Sequence, residues 1–549
     1  MLRFPASPRR AAAAALLIAL AAIRPAPAAP APGDLPATAT HPPPARVLNR
    51  GLGPEPDSVH IHQAQGLAAV NLLRDLREGL VTFDAAGEPV PGQASGWEVS
   101  DDGLRYRFTL RPDARWSNGD PVTAADFVRA WRRAFDPTSL AATAGLLKDL
   151  RNAAEILAGE APPDALGVRA DGPDVVEVEL AAPAPWVLEI LAHPVAFPLH
   201  PDGMDDPREA PVNGPFVLEN WVPRASIALR RNPHYHAAAG VALDGVEYFP
   251  IEEPATELAR YRAGELHITE TIPAGRYAWL RENLGAELRV HPYLGSFWLG
   301  LNFRHPELGR SRELRQALTL AIDRDILTGK VLGAGDLPGW SVVPPGMAGY
   351  RPAAMPQSVL TQAQREQEAR RLFQAWSVGR DQPLRLELRY NTSGVHRRVA
   401  VAVAAMWRQV LGVHAELVNE EWKVFVNNRS LGIVTEVFRG GWIADYGDPS
   451  SFLDLFAGGS SLNNTFYASE RFDRLLAEAA AADGAARMEL LQQAEAQLVQ
   501  DMPVIPLYYY VSRHLVSPAV DGFVDNVRDI HLSRYLNLES GQARESAQP

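Results

Sequence analysis

Residues 439–449 read RGGWIADYGDP. Arg439 and Asp445 place opposite charges at the two ends of a short run holding Gly440, Gly441, Trp442 and Ile443. A guanidinium suits a carboxylate, a carboxylate accepts from an ammonium, and an indole is a flat apolar wall. Such a set can hold a molecule charged at both ends and apolar between, which describes a peptide. Other stretches repeat the theme. YNTSGVH (390–396) ends in His396, EWKVFVNNR (421–429) carries Trp422 and Arg429, and YYY (508–510) follows VIPL. Glycines in a strand allow a second backbone to come close. DYGDP also reads as an Asx-type turn closing a core strand, so Asp445 is either a ligand anchor or a turn residue.

No reacting set accompanies these residues. There is no G-x-S-x-G elbow, no H-E-x-x-H pair, no Walker-type loop and no Rossmann fingerprint. Cysteine is absent, which removes thiol nucleophiles, thiolate metal sites, disulfides and a lipidated N-terminus. HIH (60–62) sets two imidazoles on one face of a strand but brings no third or fourth ligand, so it reads as a pair of half-exposed histidines. The reading therefore calls for no enzyme activity, no metal and no cofactor. The net charge of −12 and the lack of a long basic tract argue against a nucleic-acid partner.

The elements that position these residues mix strands and helices. GIVTEVF (432–438) reads as a strand leading into the glycines. WEVSDDGLRYRFTL (97–110) reads as a hairpin, because Leu104, Tyr106, Phe108 and Leu110 alternate with polar residues. Thr123 and Asp126 make a capping box for a helix burying Phe127, Val128 and Trp131. Residues 311–327, 361–376 and 470–501 read as amphipathic helices, the first capped by Ser311. At the start, Arg3, Arg9 and Arg10 precede the apolar run 11–23 and an APA site at 26–28. This is a cleavable signal peptide (1–28) of the general secretory route, followed by a disordered Pro/Ala leader (29–45).

LLRDLREGL (72–80), RWSNGDPVTAADFV (115–128), VNGPFVLENW (212–221), RQALTLAIDRDIL (315–327), GDLPGW (335–340), YNTSGVH (390–396) and GWIADYGDPSSF (441–452) occur in an order that resembles the bacterial extracellular solute-binding proteins of family 5, and among them the peptide binders. The resemblance runs from about residue 47 to 540. It implies a mixed α/β, class II periplasmic binding protein fold: a two-lobed clamp with an extra α+β domain in the first lobe. It implies lobe I at 45–77, 201–291 and 512–541, the extra domain at 78–200, lobe II at 292–511 and a disordered tail at 542–549.

It also implies a monomeric periplasmic protein that captures short peptides and delivers them to an inner-membrane ABC permease with its ATPase subunits. Murein tripeptide or another solute is the alternative cargo, and a periplasmic hydrolase a distant one. By the same resemblance Asp445 takes the ligand α-amino group. Arg439, His396 and Arg429 take its carboxylate according to length, and Trp442 and Trp422 line side-chain pockets. Gln65, Gly66 and Leu67 oppose the ligand backbone from lobe I, while Gly441 and Ile443 lie on the ligand-facing strand. Three departures stand out. Leu332 replaces one lysine of a Lys-x-Lys pair, Thr143 falls where a pocket tyrosine is expected, and a disulfide pair of close relatives maps to Gly295 and Ile443.

Overall fold

The computed structural model describes residues 46–539 except 65, 140, 142, 204–207 and 381. The expected signal peptide, leader and tail, and Gln65, lie outside the described residues.

β1 (Val47–Gly53) opens a four-stranded sheet, and α1 (Leu67–Leu76) turns Leu72, Leu73 and Leu76 inward. The chain then builds a second sheet from β2 (Ala94–Val99), β3 (Arg105–Leu110), β4 (Val168–Ala170) and β5 (Val175–Glu179), ordered β2-β3-β5-β4. β2 and β3 are the expected hairpin, with Tyr106, Phe108 and Leu110 inward. α2 (Ala124–Ala134) packs on this sheet behind the Thr123–Asp126 capping box. Phe127 and Trp131 are fully buried, while Val128 is only half-buried. After α3 (Val187–Leu191) the chain returns with β6 (Phe216–Val222), β7 (Ser226–Arg231) and β8 (Gly245–Pro250), completing the first sheet as β1-β8-β7-β6.

The third sheet holds β9 (Leu288–Leu301), β10 (Leu337–Pro338), β11 (Arg385–Asn391), β12 (His414–Glu420), β13 (Val437–Ile443) and β14 (Val504–Leu515). Their order is β10-β14-β9-β13-β11-β12. One face packs Phe297, Leu299 and Leu301 against α4 (Arg312–Leu320), α5 (Gln362–Ser377) and α6 (Gly394–Leu411). The other packs Leu294, Trp298 and Val504 against α8 (Glu470–Ala480) and α9 (Gly484–Asp501), while the shorter α7 (Trp422–Ser430) precedes β13. β9 and β14 pair antiparallel from Leu288↔Leu515 to Gly300↔Val504, with a register break between Pro292 and Ser296. Their Leu288–Leu515 end joins the separate core of Leu258, Tyr261 and Leu280. Two strands thus run from one core to another, with an irregular step between.

Three expected elements differ. The strand read at 432–438 begins only at Val437 and continues through both glycines to Ile443. The helix read at 311–327 ends at Leu320, and Asp323 starts a new turn by accepting from the Ile326 N–H at 2.9 Å. The stretch 470–501 is two helices with a break at 481–483. Among the described residues, no helix is long and apolar enough to cross a membrane.

Candidate functional site

β13 positions the opening stretch. Its alternation puts Val437, Arg439, Gly441 and Ile443 on one face and Phe438, Gly440 and Trp442 on the other. Along one edge β13 pairs with β9 throughout, from Leu301↔Val437 to Gly295↔Ile443. Along the other edge β11 covers only Val437 and Phe438 before the chain turns into α6. From Arg439 to Ile443, the outward N–H and C=O groups on that edge meet no strand among the described residues. An open edge of this kind is a template for one added strand.

The glycines have a reason that differs from the expected one. Trp298 stands opposite Gly440, and Phe438 opposite Gly300. A Cβ on Gly440 would lie 2.2 Å from Trp298 Nε1, and one on Gly300 would lie 2.3 Å from the Phe438 ring. Each large ring thus fills the space its partner leaves empty. Gly440 is a packing residue, and Gly441, half-buried on the Arg439 face, is also closely set, since a Cβ there would lie 3.0 Å from the Ser296 carbonyl oxygen and 3.1 Å from the Tyr510 hydroxyl. We predict that Gly440→Ala destabilises by about 1–3 kcal/mol through overpacking and leaves ligand affinity of the folded protein unchanged. Calorimetric unfolding and binding on the same sample separate the two effects, and an unchanged melting temperature would refute the packing role.

Gly295 and Ile443, the mapped disulfide positions, are direct register partners. A Cβ on Gly295 would lie 2.4 Å from the Tyr510 ring, so a cysteine there needs that ring to move.

Two arginines and a histidine gather beside the open edge. The Arg439 guanidinium lies 5.2 Å from the Phe297 ring centre and is hydrogen-bonded with Tyr510. Arg429, on α7, lies 5.5 Å from the Phe425 ring. The Nε atoms of both arginines are buried without a partner, and neither side chain meets a carboxylate among the described residues. His396, near the start of α6, donates Nδ1–H to Asn391 Oδ1 at 2.9 Å. Burial and the Arg439 charge hold His396 down at about 4, and burial and Arg439 hold Arg429 at about 10. The cluster is a positively charged pocket.

His396 is therefore neutral in the empty pocket at neutral pH, with its one proton committed to Asn391. It can donate to a carboxylate through Nε2 only by taking up a second proton. We predict that ligands whose carboxylate reaches His396 bind with uptake of up to one proton. The His396 contribution to their affinity then grows as pH falls from 7 toward about 4 and is constant below it, opposed by the loss at Asp445. Titration calorimetry in two buffers of different ionisation heat measures this uptake. Its persistence in His396→Gln would exclude the assignment.

The other end of the stretch separates the two aspartates. Asp448 makes the turn: its carboxylate accepts from the Ser450 N–H at 2.9 Å and pairs with buried Arg487 at 2.8 Å. Asp445 has only its backbone N–H engaged, to Ser451 Oγ at 3.1 Å. Its carboxylate accepts no hydrogen bond among the described residues and is open to solvent. Enough protein surrounds it to raise its pKa by desolvation, and Lys148 opposes that shift. The turn itself is braced. Tyr446 stacks on Trp186 at 4.9 Å, and the Gly447 N–H donates to Glu189 Oε2 at 2.6 Å. Glu189 in turn pairs with Arg528.

The remaining expected residues are more scattered. Trp442 points to the face opposite Arg439, half-buried beside Phe452, with its indole N–H 3.4 Å from Ser451 Oγ. Trp422 starts α7 and is half exposed, and Ile443 is exposed. Gly66 caps α1 in an extended conformation, and Leu67 is the first helical residue, not part of an extended segment. Both are exposed. Thr143 is half-buried with its hydroxyl unpartnered, and Leu332 packs into the core beneath α6. His60 and His62 are buried, not half-exposed, and burial pulls them to about 4 and about 3.

Tyr510 of the tyrosine run and Asn391 of YNTSGVH also border the site, as do Phe297 and Lys148, which the sequence did not single out. A hollow of about 640 Å³ on the outer face of the second sheet is lined by Arg107, Arg151, Arg169, Glu177 and Glu179, which pair with one another or with nearby carboxylates. It is unrelated to the cleft.

The two cores joined by β9 and β14, with an open strand edge between unlike charges, define the class of clamp-like solute-binding proteins. The chain belongs to the bacterial extracellular solute-binding proteins, family 5, whose middle-region model matches residues 88–464. It is 38% identical over 489 residues to the periplasmic oligopeptide-binding protein OppA of Salmonella typhimurium, covering 87% of this chain and 90% of that one. It is 35% identical over 501 residues to the periplasmic murein peptide-binding protein MppA of Escherichia coli, covering 89% and 93%. Among solved structures, the unliganded open form of the murein tripeptide binding protein MppA superposes with a TM-score of 0.81 at 34% identity, covering 90% and 98%. Haemophilus influenzae OppA in complex with RPPGFSPFR gives 0.73 at 33% identity, covering 90% and 99%.

Proposed function

We propose that this chain is a periplasmic oligopeptide-binding protein that delivers short peptides to an ABC transporter of the inner membrane, and that it catalyses no reaction. The observation that carries this reading is the open edge of Arg439–Ile443, set between the Arg439–Arg429–His396 cluster and the Asp445 carboxylate, which accepts no hydrogen bond among the described residues. In this reading the peptide lies extended along β13 and takes main-chain hydrogen bonds that are blind to its side chains. Asp445 receives its ammonium. Arg439, His396 or Arg429 receives its carboxylate, with length selecting the partner. Trp422 and Trp442 border side-chain space, and Gln65, Gly66 and Leu67 face the peptide from lobe I. Lobe I comprises 45–77, 201–291 and 512–541, the extra domain 78–200 and lobe II 292–511.

The two clustered arginines also favour a second cargo of the same class. A murein peptide carries more than one carboxylate, and Arg439 and Arg429 could each hold one.

Native mass spectrometry of protein taken from the periplasm identifies what co-purifies, and small-angle scattering follows the clamp. With a tri- or tetrapeptide bound, the radius of gyration should fall, as hinge closure requires. A constant radius despite measured binding would overturn the clamp mechanism. A co-purified ligand without peptide bonds would overturn the cargo.

A further inference from the structure

We infer that His514, Asp529 and His531 form a binding site for one divalent transition-metal ion of the zinc type, apart from the peptide cleft. His514 lies on β14 toward its Leu515 end, and the other two lie on the C-terminal segment that packs against it. One ligand atom of each residue lies within 4.8 Å of the other two. A single Asp529 oxygen is 2.7 Å from His514 Nε2 and 3.1 Å from His531 Nε2. A tetrahedral zinc with bonds of about 2.0–2.1 Å holds its donors about 3.3 Å apart. The ion therefore enters by replacing the shared hydrogen bonds, with side-chain movements of about an ångström or less.

The surroundings aim the three donors. His514 Nδ1 is 2.9 Å from the Thr269 carbonyl oxygen. A carbonyl only accepts, so Nδ1 carries a proton; Nε2 faces the Asp529 carboxylate and donates a second proton to it, and an entering ion takes Nε2 by displacing that proton. Imidazoles that hold metals are oriented by such a bond on the far nitrogen. The His531 ring stacks on Phe523 with centres 4.0 Å apart, and its carbonyl accepts from Arg50 Nη1 at 2.9 Å. Asp529 has φ +56°, a left-handed conformation that costs an L residue energy. Asn526 holds the bend: its carbonyl accepts from the Asp529 N–H at 3.2 Å, and its side chain donates to the Ile530 carbonyl at 2.9 Å. Two imidazoles and one carboxylate leave a fourth position. The Glu270 carboxyl interacts electrostatically with both His514 and Asp529.

The test uses the full mature chain, stripped with a chelator and titrated with zinc against a chromophoric competitor. One tight equivalent per chain is expected. His531→Gln should weaken it at least about 100-fold, whereas His414→Gln, at an exposed histidine, should not. Zinc-edge X-ray absorption on the wild-type chain should count two imidazole nitrogens and at least one carboxylate oxygen, which keeps the test decisive if a variant fails to fold. No stoichiometric binding, full affinity in His531→Gln, or fewer than two imidazoles at the edge would each overturn the site.

Discussion

Asp445→Asn should abolish tight peptide binding while leaving the fold intact. A closed cleft excludes water, so a ligand ammonium there needs a charged, hydrogen-bonded partner. Removing one member of a buried pair costs about 3–5 kcal/mol, because the other charge is left uncompensated. At about 1.4 kcal/mol per decade, that is two to three and a half decades of affinity. Asparagine keeps the shape but not the charge.

The same interaction can be deleted from the ligand by N-acetylation. The two losses should not add, since each removes the one pair. Asp448→Asn is the counterpart. It strips the partner of fully enclosed Arg487, so it should cost stability of the order of 3–5 kcal/mol and act on affinity only through unfolding. The sign with pH follows. The Asp445 carboxyl is raised above its ordinary value, so affinity holds at neutral pH and is lost on acidification through that raised value. Calorimetry of both variants with free and acetylated tripeptide checks all of this. Normal affinity of Asp445→Asn, or of wild type for the acetylated peptide, removes Asp445 from the site.

What was legible in the sequence was local. The hairpin at β2–β3 and the Thr123–Asp126 box are fixed by neighbours a few residues away, and both are found as read. The start of β13 was misread because Ile433 and Val434 have strand-forming side chains, whereas pairing with β9 begins only at Leu301↔Val437. The break after Leu320 was hidden because Asp323 caps the next turn without interrupting the apolar stripe.

The site divides the same way. Residue types pointed to Arg439 and Asp445. The roles of Gly440, Trp442 and Asp448 depend on partners brought in from β9, α9 and the chain near Ser451, which no spacing announces. DYGDP contains both a turn aspartate and a free one, and only the Arg487 pairing tells them apart.

Arg439→Ala should weaken peptide binding without weakening the protein. Arg439 lowers the pKa of His396 and of Arg429, so the empty pocket contains like charges held together without a counter-ion. Its buried Nε lacks a partner, and an unmade hydrogen bond costs about 1–3 kcal/mol. Against this stand the contact with Phe297, worth about 0.5–1 kcal/mol, and the hydrogen bond with Tyr510, worth about 1.5–3 kcal/mol. The terms nearly cancel, so truncation leaves the melting temperature close to unchanged, unlike that of an ordinary half-buried arginine.

Affinity moves the other way, by two to three and a half decades on the same reasoning as for Asp445. It should fall most for short peptides, whose carboxylate ends nearest Arg439, and least for those long enough to reach His396 or Arg429. His396 gives an independent readout. With the Arg439 charge gone, its pKa should climb from about 4 toward the ordinary imidazole range, which a nuclear magnetic resonance titration reads directly. Burial is the larger cause of the depression, so the climb should be partial. Equal losses across a length series, or a lowered melting temperature with His396 unmoved, would mean that Arg439 is a structural arginine and that the carboxylate is held elsewhere.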